Sequence, residues 1–141
     1  MTIDALNPQD ALVAVMVATS ASDQNMTDSE LVSISGIIDV LPVFENYDPD
    51  RTVTVSNLVA DLFEEEDGLD ALIGLVKQAL PDHLSETAYA LACDVAAADK
   101  RVNMYELRFL EMLRHDLSVG RLAAAAIERG ARARHQPLTP R

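Results

Sequence analysis

Four carboxylates carry the most promising chemistry in this chain: Asp23, Glu30, Asp99 and Glu106. Each aspartate is followed seven residues later by a glutamate, and the second pair repeats the first at an offset of 76 residues. The segment from Ala97, Ala-Ala-Asp-Lys-Arg-Val-Asn-Met-Tyr-Glu-Leu, parallels the segment from Ala21, Ala-Ser-Asp-Gln-Asn-Met-Thr-Asp-Ser-Glu-Leu. The same offset sets Ala14 against Ala90, Ile34 against Leu110 and Ile37 against Leu113. Identity is low, but the correspondence runs at helical spacing on both sides of the aspartate, the mark of a duplicated helix–loop–helix.

If the two helix pairs pack about a pseudo-twofold axis, the four acids converge. Carboxylates that close do not all stay ionised, so a bound cation, a neighbouring Lys or Arg, or a raised pKa must resolve the conflict. An all-oxygen set with no nearby His or Cys selects a hard divalent ion, calcium or magnesium rather than zinc. The loop is not an orthodox EF-hand. Asp23 and Asn25 open like one, but no glycine stands at the sixth place and the glutamate arrives at the eighth instead of the twelfth. Simpler roles compete with metal. Glu30 and Glu106 hold the third position of capping boxes, and Lys100 or Arg101 can neutralise Asp99. Capping does not explain the aspartates. Each is expected at a helix C-terminus, where the dipole disfavours a carboxylate by about 0.3–1 kcal/mol.

Seven helices are needed to position these groups. Asn7-Pro8 caps and opens the first, which runs to about Ser22 with Leu12, Val15, Met16 and Thr19 on one face. Thr27 to Glu30 caps the second, whose Leu31, Ile34, Ile38 and Leu41 recur at helical spacing until Pro42. Residues 42–51 read as a connector, and a third helix starts around Thr52–Val55 with Leu58, Val59, Leu62 and Phe63 inward. Gly68 closes it. A short fourth helix buries Leu69, Leu72, Ile73 and Val76 and stops at Pro81. Leu84, Ala88, Leu91 and Val95 stripe a fifth, ending near Ala98. Asn103 to Glu106 caps a sixth carrying Leu107, Leu110 and Leu113, and Ser118 caps a seventh that reaches about Ala133. The expectation is one all-α domain over residues 1–133, with copies at about 8–41 and 84–115, followed by a flexible tail over 134–141.

Composition agrees with helices: alanine, leucine and valine dominate, there is no Trp, and there are five glycines. No apolar run approaches the roughly 20 residues of a membrane span, and no secretory signal pattern opens the chain, so the expected setting is cytoplasmic. Cys93 stands alone among alanines and reads as a small buried hydrophobe. Charge is uneven. The net is −12, and residues 1–70 hold 15 acids against one base, Arg51. That half repels nucleic acid and anionic membranes and favours cations or a basic protein partner.

Other chemistry is poorly provided for. His83, His115 and His135 are scattered, no glycine-rich phosphate loop is present, and no Ser–His–Asp or Cys–His grouping emerges from the spacing. Asp94 faces an alanine-rich helix, either solvated or adjacent to the site. Glu64 to Asp67 is a solvated acidic face, and Met16, Met26, Met104 and Met112 occupy apolar positions expected in the core. A metal-dependent hydrolase would need a general base and a substrate clamp that the sequence does not offer, so no enzymatic role is expected.

The motif Ala-Ala-Ala-Asp-x-x-Val-x-x-x-Glu at Ala96 to Glu106, with its echo at Ala21 to Glu30, resembles the TerB family of tellurite-resistance proteins. The resemblance extends over about residues 8–133 and includes Thr-Ala-Tyr-Ala-Leu-Ala ahead of the second aspartate. It implies a duplicated all-helical fold, an intracellular stress-response role with protein partners, and a divalent-metal site that would use Asp23, Glu30, Asp99 and Glu106. Gln24 and Lys100 follow the two aspartates where many members of that family carry glycine. Tellurite reduction by this chain itself is not expected, because it has a single cysteine and an acidic surface.

Overall fold

A computed structural model describes residues 6–21, 28–98 and 103–140. Seven helices build it: α1 (Pro8–Ala21), α2 (Asp28–Val40), α3 (Asp50–Phe63), α4 (Gly68–Ala79), α5 (Ser85–Ala98), α6 (Met104–Asp116) and α7 (Arg121–Arg134). Short 3-10 turns at Pro42–Phe44 and Asp82–Leu84 lead into α3 and α5. Among the described residues there is no strand, so the fold is all-α.

The centre of the molecule is α1. Every residue from Asp10 to Ser20 is buried, and the helix touches α2, α3, α4, α5 and α6. This corrects the one-faced helix expected from Leu12, Val15, Met16 and Thr19. Val13, Ala14 and Val17 on the opposite sides are equally inaccessible, the behaviour of a helix apolar all round. Three β-branched valines, Val13, Val15 and Val17, lower its intrinsic propensity, and burial on every side overrides that.

Around α1 the other helices take more ordinary amphipathic roles. Val55, Val59 and Leu62 bury one stripe of α3, and Leu72, Ile73 and Val76 do so for α4. Both stripes lie against α1 and against each other. Helix α5 packs on both α1 and α7, and its Ala88, Leu91, Ala92 and Val95 are buried. Small side chains on three sides of α5 permit this close double packing.

Several expected boundaries and faces shift. Helix α3 begins at Asp50, after Pro49, because proline can stand at a helix start and the β-branched residues that argued for a later start are tolerated inside. In α6 the inward positions are Glu106, Phe109 and Leu113; Leu107 is exposed and Leu110 half-buried, so the Leu107–Leu110–Leu113 stripe is only partly inward. Met104 is 84% exposed instead of lying in the core. In α2 the buried pair is Ile34 and Ile38. Thus residues matched by the 76-residue offset differ in burial: Ile34 and Leu113 are buried, while their counterparts Leu110 and Ile37 are half-buried. Met26 lies outside the described residues.

Two corners have sharp sequence requirements. At the α3–α4 corner a Cβ on Gly68 would lie 1.7 Å from the Leu62 carbonyl oxygen, so no side chain fits there. At the α6–α7 corner Ser118 is not the cap of α7, whose N-cap is Gly120. Ser118 has a φ of 57°. It donates its N–H to the His115 carbonyl at 3.1 Å, and Val119 N–H reaches Arg114 O at 3.0 Å. That is a Schellman closure of α6 with serine in the left-handed place glycine normally takes.

Candidate functional site

Glu30 lies in the first turn of α2 and is half-buried, and Glu106 lies in the first turn of α6 and is 1% exposed. Both helices pack against the same two, α1 and α5. Asp23 and Asp99 lie outside the described residues. Among the described residues no group of three or more His, Cys, Asp or Glu is arranged to hold a metal ion. The start of α6 carries the Asn103 N-cap that the sequence predicts. Asn103 Oδ1 accepts the Glu106 N–H at 2.9 Å, while Asn103 Nδ2 stands 3.5 Å from Glu106 Oε1. A buried carboxylate requires strong compensation, and the Asn103 side-chain amide supplies part of it. At the C-terminal end of α1, Ser20 Oγ is buried with no hydrogen-bond partner among the described residues.

The best-defined polar cluster is one that the sequence did not reveal. Asp10, fully buried in the first turn of α1, accepts from Tyr47 Oη at 2.8 Å, Arg51 Nε at 2.9 Å and the Asn7 N–H at 3.2 Å. Arg51 Nη2 closes a second, two-pronged contact with the same carboxylate. Asn7 Oδ1 in turn accepts the Asp10 N–H at 2.7 Å, completing a reciprocal cap. Beside it Gln9 Nε2 donates to the carbonyls of Val43 and Glu45, both at 3.0 Å. Burial pushes the Asp10 carboxyl up, but the hydrogen bonds from Arg51 and Tyr47 outweigh it and hold the group below the usual carboxylate range. Burial, and then the bond to Asp10, raise the Tyr47 hydroxyl. The cluster joins the start of α1 to the connector and α3, and its geometry is that of a structural clamp. One signal could have found it. Arg51 is the only base among the first 70 residues, and a lone cation in so acidic a stretch needs a committed partner.

A second feature is a cleft of about 770 Å3 between α5, α6 and α7. Its floor is the alanine-rich side of α5, with Cys93, Ala96 and Ala97; Leu110 and Arg114 face it from α6, and Glu128 and Arg132 from α7. Tyr89 Oη donates to Glu128 at 2.7 Å, and Arg134 Nη2 donates to Asp94 at 2.7 Å. The two bonds climb α5 and α7 in the same direction, so these helices run parallel. His135 Nε2 lies 3.5 Å from the same Asp94 carboxylate, which makes Asp94 a paired acid of the α5–α7 junction. Burial pushes the Cys93 thiol up to about 11, with Glu128 and Asp94 adding to the rise against a lowering hydrogen bond from Tyr89. Such a thiol is inert at neutral pH, in keeping with the buried hydrophobe expected. His83 and His115 are exposed, as are Glu64 to Asp67.

Set against known protein families, curated proteins and solved structures, the chain matches none of them. Among the described residues no helix is long and apolar enough to cross a membrane.

Proposed function

We propose that this chain is a non-enzymatic acidic helical module of the TerB type, which takes up a divalent cation through Asp23, Glu30, Asp99 and Glu106 and works with a protein partner in a cytoplasmic response to tellurite or related chemical stress. The observation that carries the reading is Glu106, a carboxylate buried to 1% exposure in the first turn of α6, a few residues from the Asp99 segment. Glu30 occupies the matching place in α2, and α2 and α6 share α1 and α5 as neighbours. Calcium and magnesium fit an all-oxygen set better than zinc.

The test is calorimetric titration of the full chain with calcium, magnesium, manganese and zinc, repeated on Asp23→Ala, Asp99→Ala and Glu106→Gln. One-site binding of a hard ion, weakened at least tenfold by each substitution, supports the reading. Absence of binding, or binding indifferent to the substitutions, refutes it.

A metal-independent adaptor is the alternative, and the Asn103–Glu106 cap favours it, since that geometry gives Glu106 a structural task. An adaptor of this kind docks a basic partner through its acidic half. Its melting temperature is then the same with chelator and with cation, and its association weakens with salt.

A further inference from the structure

We propose that the cleft between α5, α6 and α7 is a binding site for an amphipathic monocarboxylate, a ligand with an extended apolar body and one anionic end. Among the described residues the cleft's lining includes none of the duplicated acids, so the proposal rests on other residues than the cation reading. At about 770 Å3 it has the size of a small-ligand site, and its composition fits as well: an apolar floor with a few polar groups at the edge. Ala96 and Ala97 make the floor shallow and smooth enough for a hydrocarbon chain, and Leu107 and Leu110 supply one apolar wall.

The sign of the head group follows from which charge on the walls is least screened. Glu128 on the α7 wall accepts the Tyr89 hydroxyl, and burial together with that bond raises the Tyr89 pKa, so the tyrosine stays a donor. Arg114 on the α6 wall and Arg132 on the α7 wall form no ion pair among the described residues. Arg114 is half-buried, where a charge is less screened, whereas Glu111 one turn before it, and Glu128 and Arg132 on α7, are exposed. A carboxylate entering between the walls meets these two guanidinium groups, each able to grip it with paired N–H donors.

The far end of the cleft separates a small ligand from a docking helix. His135, Gln136, Pro137 and Pro140 line it, so the segment after α7 borders the cleft at that end. A partner helix, about 10 Å across, would have to displace that segment. A chain-like ligand does not.

The experiment is calorimetric titration of the full chain with sodium dodecanoate at submicellar concentration, with dodecyltrimethylammonium as the control of opposite charge. One-to-one binding of dodecanoate is expected, with none of the cationic analogue. Arg114→Glu should weaken binding about tenfold or more, the scale of one lost charge-assisted contact. Ala97→Trp, which places an indole in the cleft, should abolish it with the helical circular dichroism unchanged. If that variant fails to fold, the double variant Arg114→Glu/Arg132→Glu, altered only at groups on the walls, decides. The proposal is overturned by absence of dodecanoate binding, by equal binding of the cationic analogue, by a stoichiometry above one, or by undiminished binding in the double variant.

Discussion

Replacing Asp10 tests whether the clamp at the start of α1 holds the domain together. Asp10→Ala removes a fully buried carboxylate that accepts four donors from three residues. The Tyr47 bond, a hydroxyl donating to a charged acceptor at 2.8 Å, contributes about 1.5–3 kcal/mol, and truncation leaves that hydroxyl without its acceptor. The Asn7 N–H also loses its carboxylate acceptor, which adds about 1 kcal/mol. The contact with Arg51 is discounted, because the arginine side chain is 46% exposed and water can replace its partner. The expected loss is about 3 kcal/mol, a large share of the roughly 5–15 kcal/mol that stabilises a domain. For a chain of this length it corresponds to a fall in Tm of about 10 °C. Urea unfolding followed by far-ultraviolet circular dichroism measures it, with Tyr47→Phe and the double variant closing a cycle. The acid limb gives a second check. The Asp10 carboxyl sits below its unfolded pKa, so its contribution is complete above the model-peptide value of about 3.9 and is lost as pH falls through the lower folded value. Asp10→Asn should flatten that part of the stability–pH curve. A loss under about 1 kcal/mol for Asp10→Ala, or zero coupling to Tyr47, would refute the reasoning.

Three further outcomes follow from single positions. Gly68→Ala forces a methyl into the Leu62 carbonyl, so a loss of about 3 kcal/mol or failure to fold is expected in the same urea assay, and a neutral result would contradict that close approach. Ser118→Gly relieves a left-handed serine and should stabilise by about 0.5–1 kcal/mol, whereas Ser118→Val should destabilise. Cys93 should resist a thiol-specific chromogenic reagent at pH 8 in the native state and react at once in urea; rapid native labelling would contradict its burial.

The helical class was legible because the signals are local. Asn7-Pro8, Pro42, Pro81 and the Asn103–Glu106 box mark ends that need no tertiary knowledge, and most observed helices begin or stop within a residue or two of them. The faces were harder. In α6, Leu107, Phe109, Leu110 and Leu113 spread over nearly half the circumference, so apolar spacing alone leaves the rotation of the helix open within that arc; the neighbours α1, α4 and α5 choose Phe109 and Leu113. For α1 the periodicity carries no preference, since the helix is enclosed on all sides. The Asp10 clamp was invisible for a different reason. Its partners lie 37 and 41 residues away, and the local pattern Asn-x-x-Asp is already explained by capping. The cleft has no sequence signature at all, because it is the space left where α6 and α7 flank the alanines of α5.

Where the counter-charge for the duplicated acids comes from is the step on which the cation reading turns, and two residues decide it. Arg51 is committed to Asp10 and Arg134 to Asp94. Lys100 and Arg101, directly after Asp99, are the bases that the sequence sets closest to the acids. If they neutralise Asp99 and its neighbours, Lys100→Ala/Arg101→Ala removes an internal partner: the protein should melt lower, and added calcium or magnesium should only partly restore it. If a cation does the work, the same substitutions remove two repelling charges. Affinity for the ion should then rise several-fold, more so at low salt, since repulsion between like charges is screened over a Debye length of about 10 Å at 0.1 M. Calorimetry with each ion at two ionic strengths, beside a melting curve in chelator, reads both effects. Lower stability with no gain in affinity would leave the acids to a structural role and refute the metal site, even if the helix pairs do bring them together.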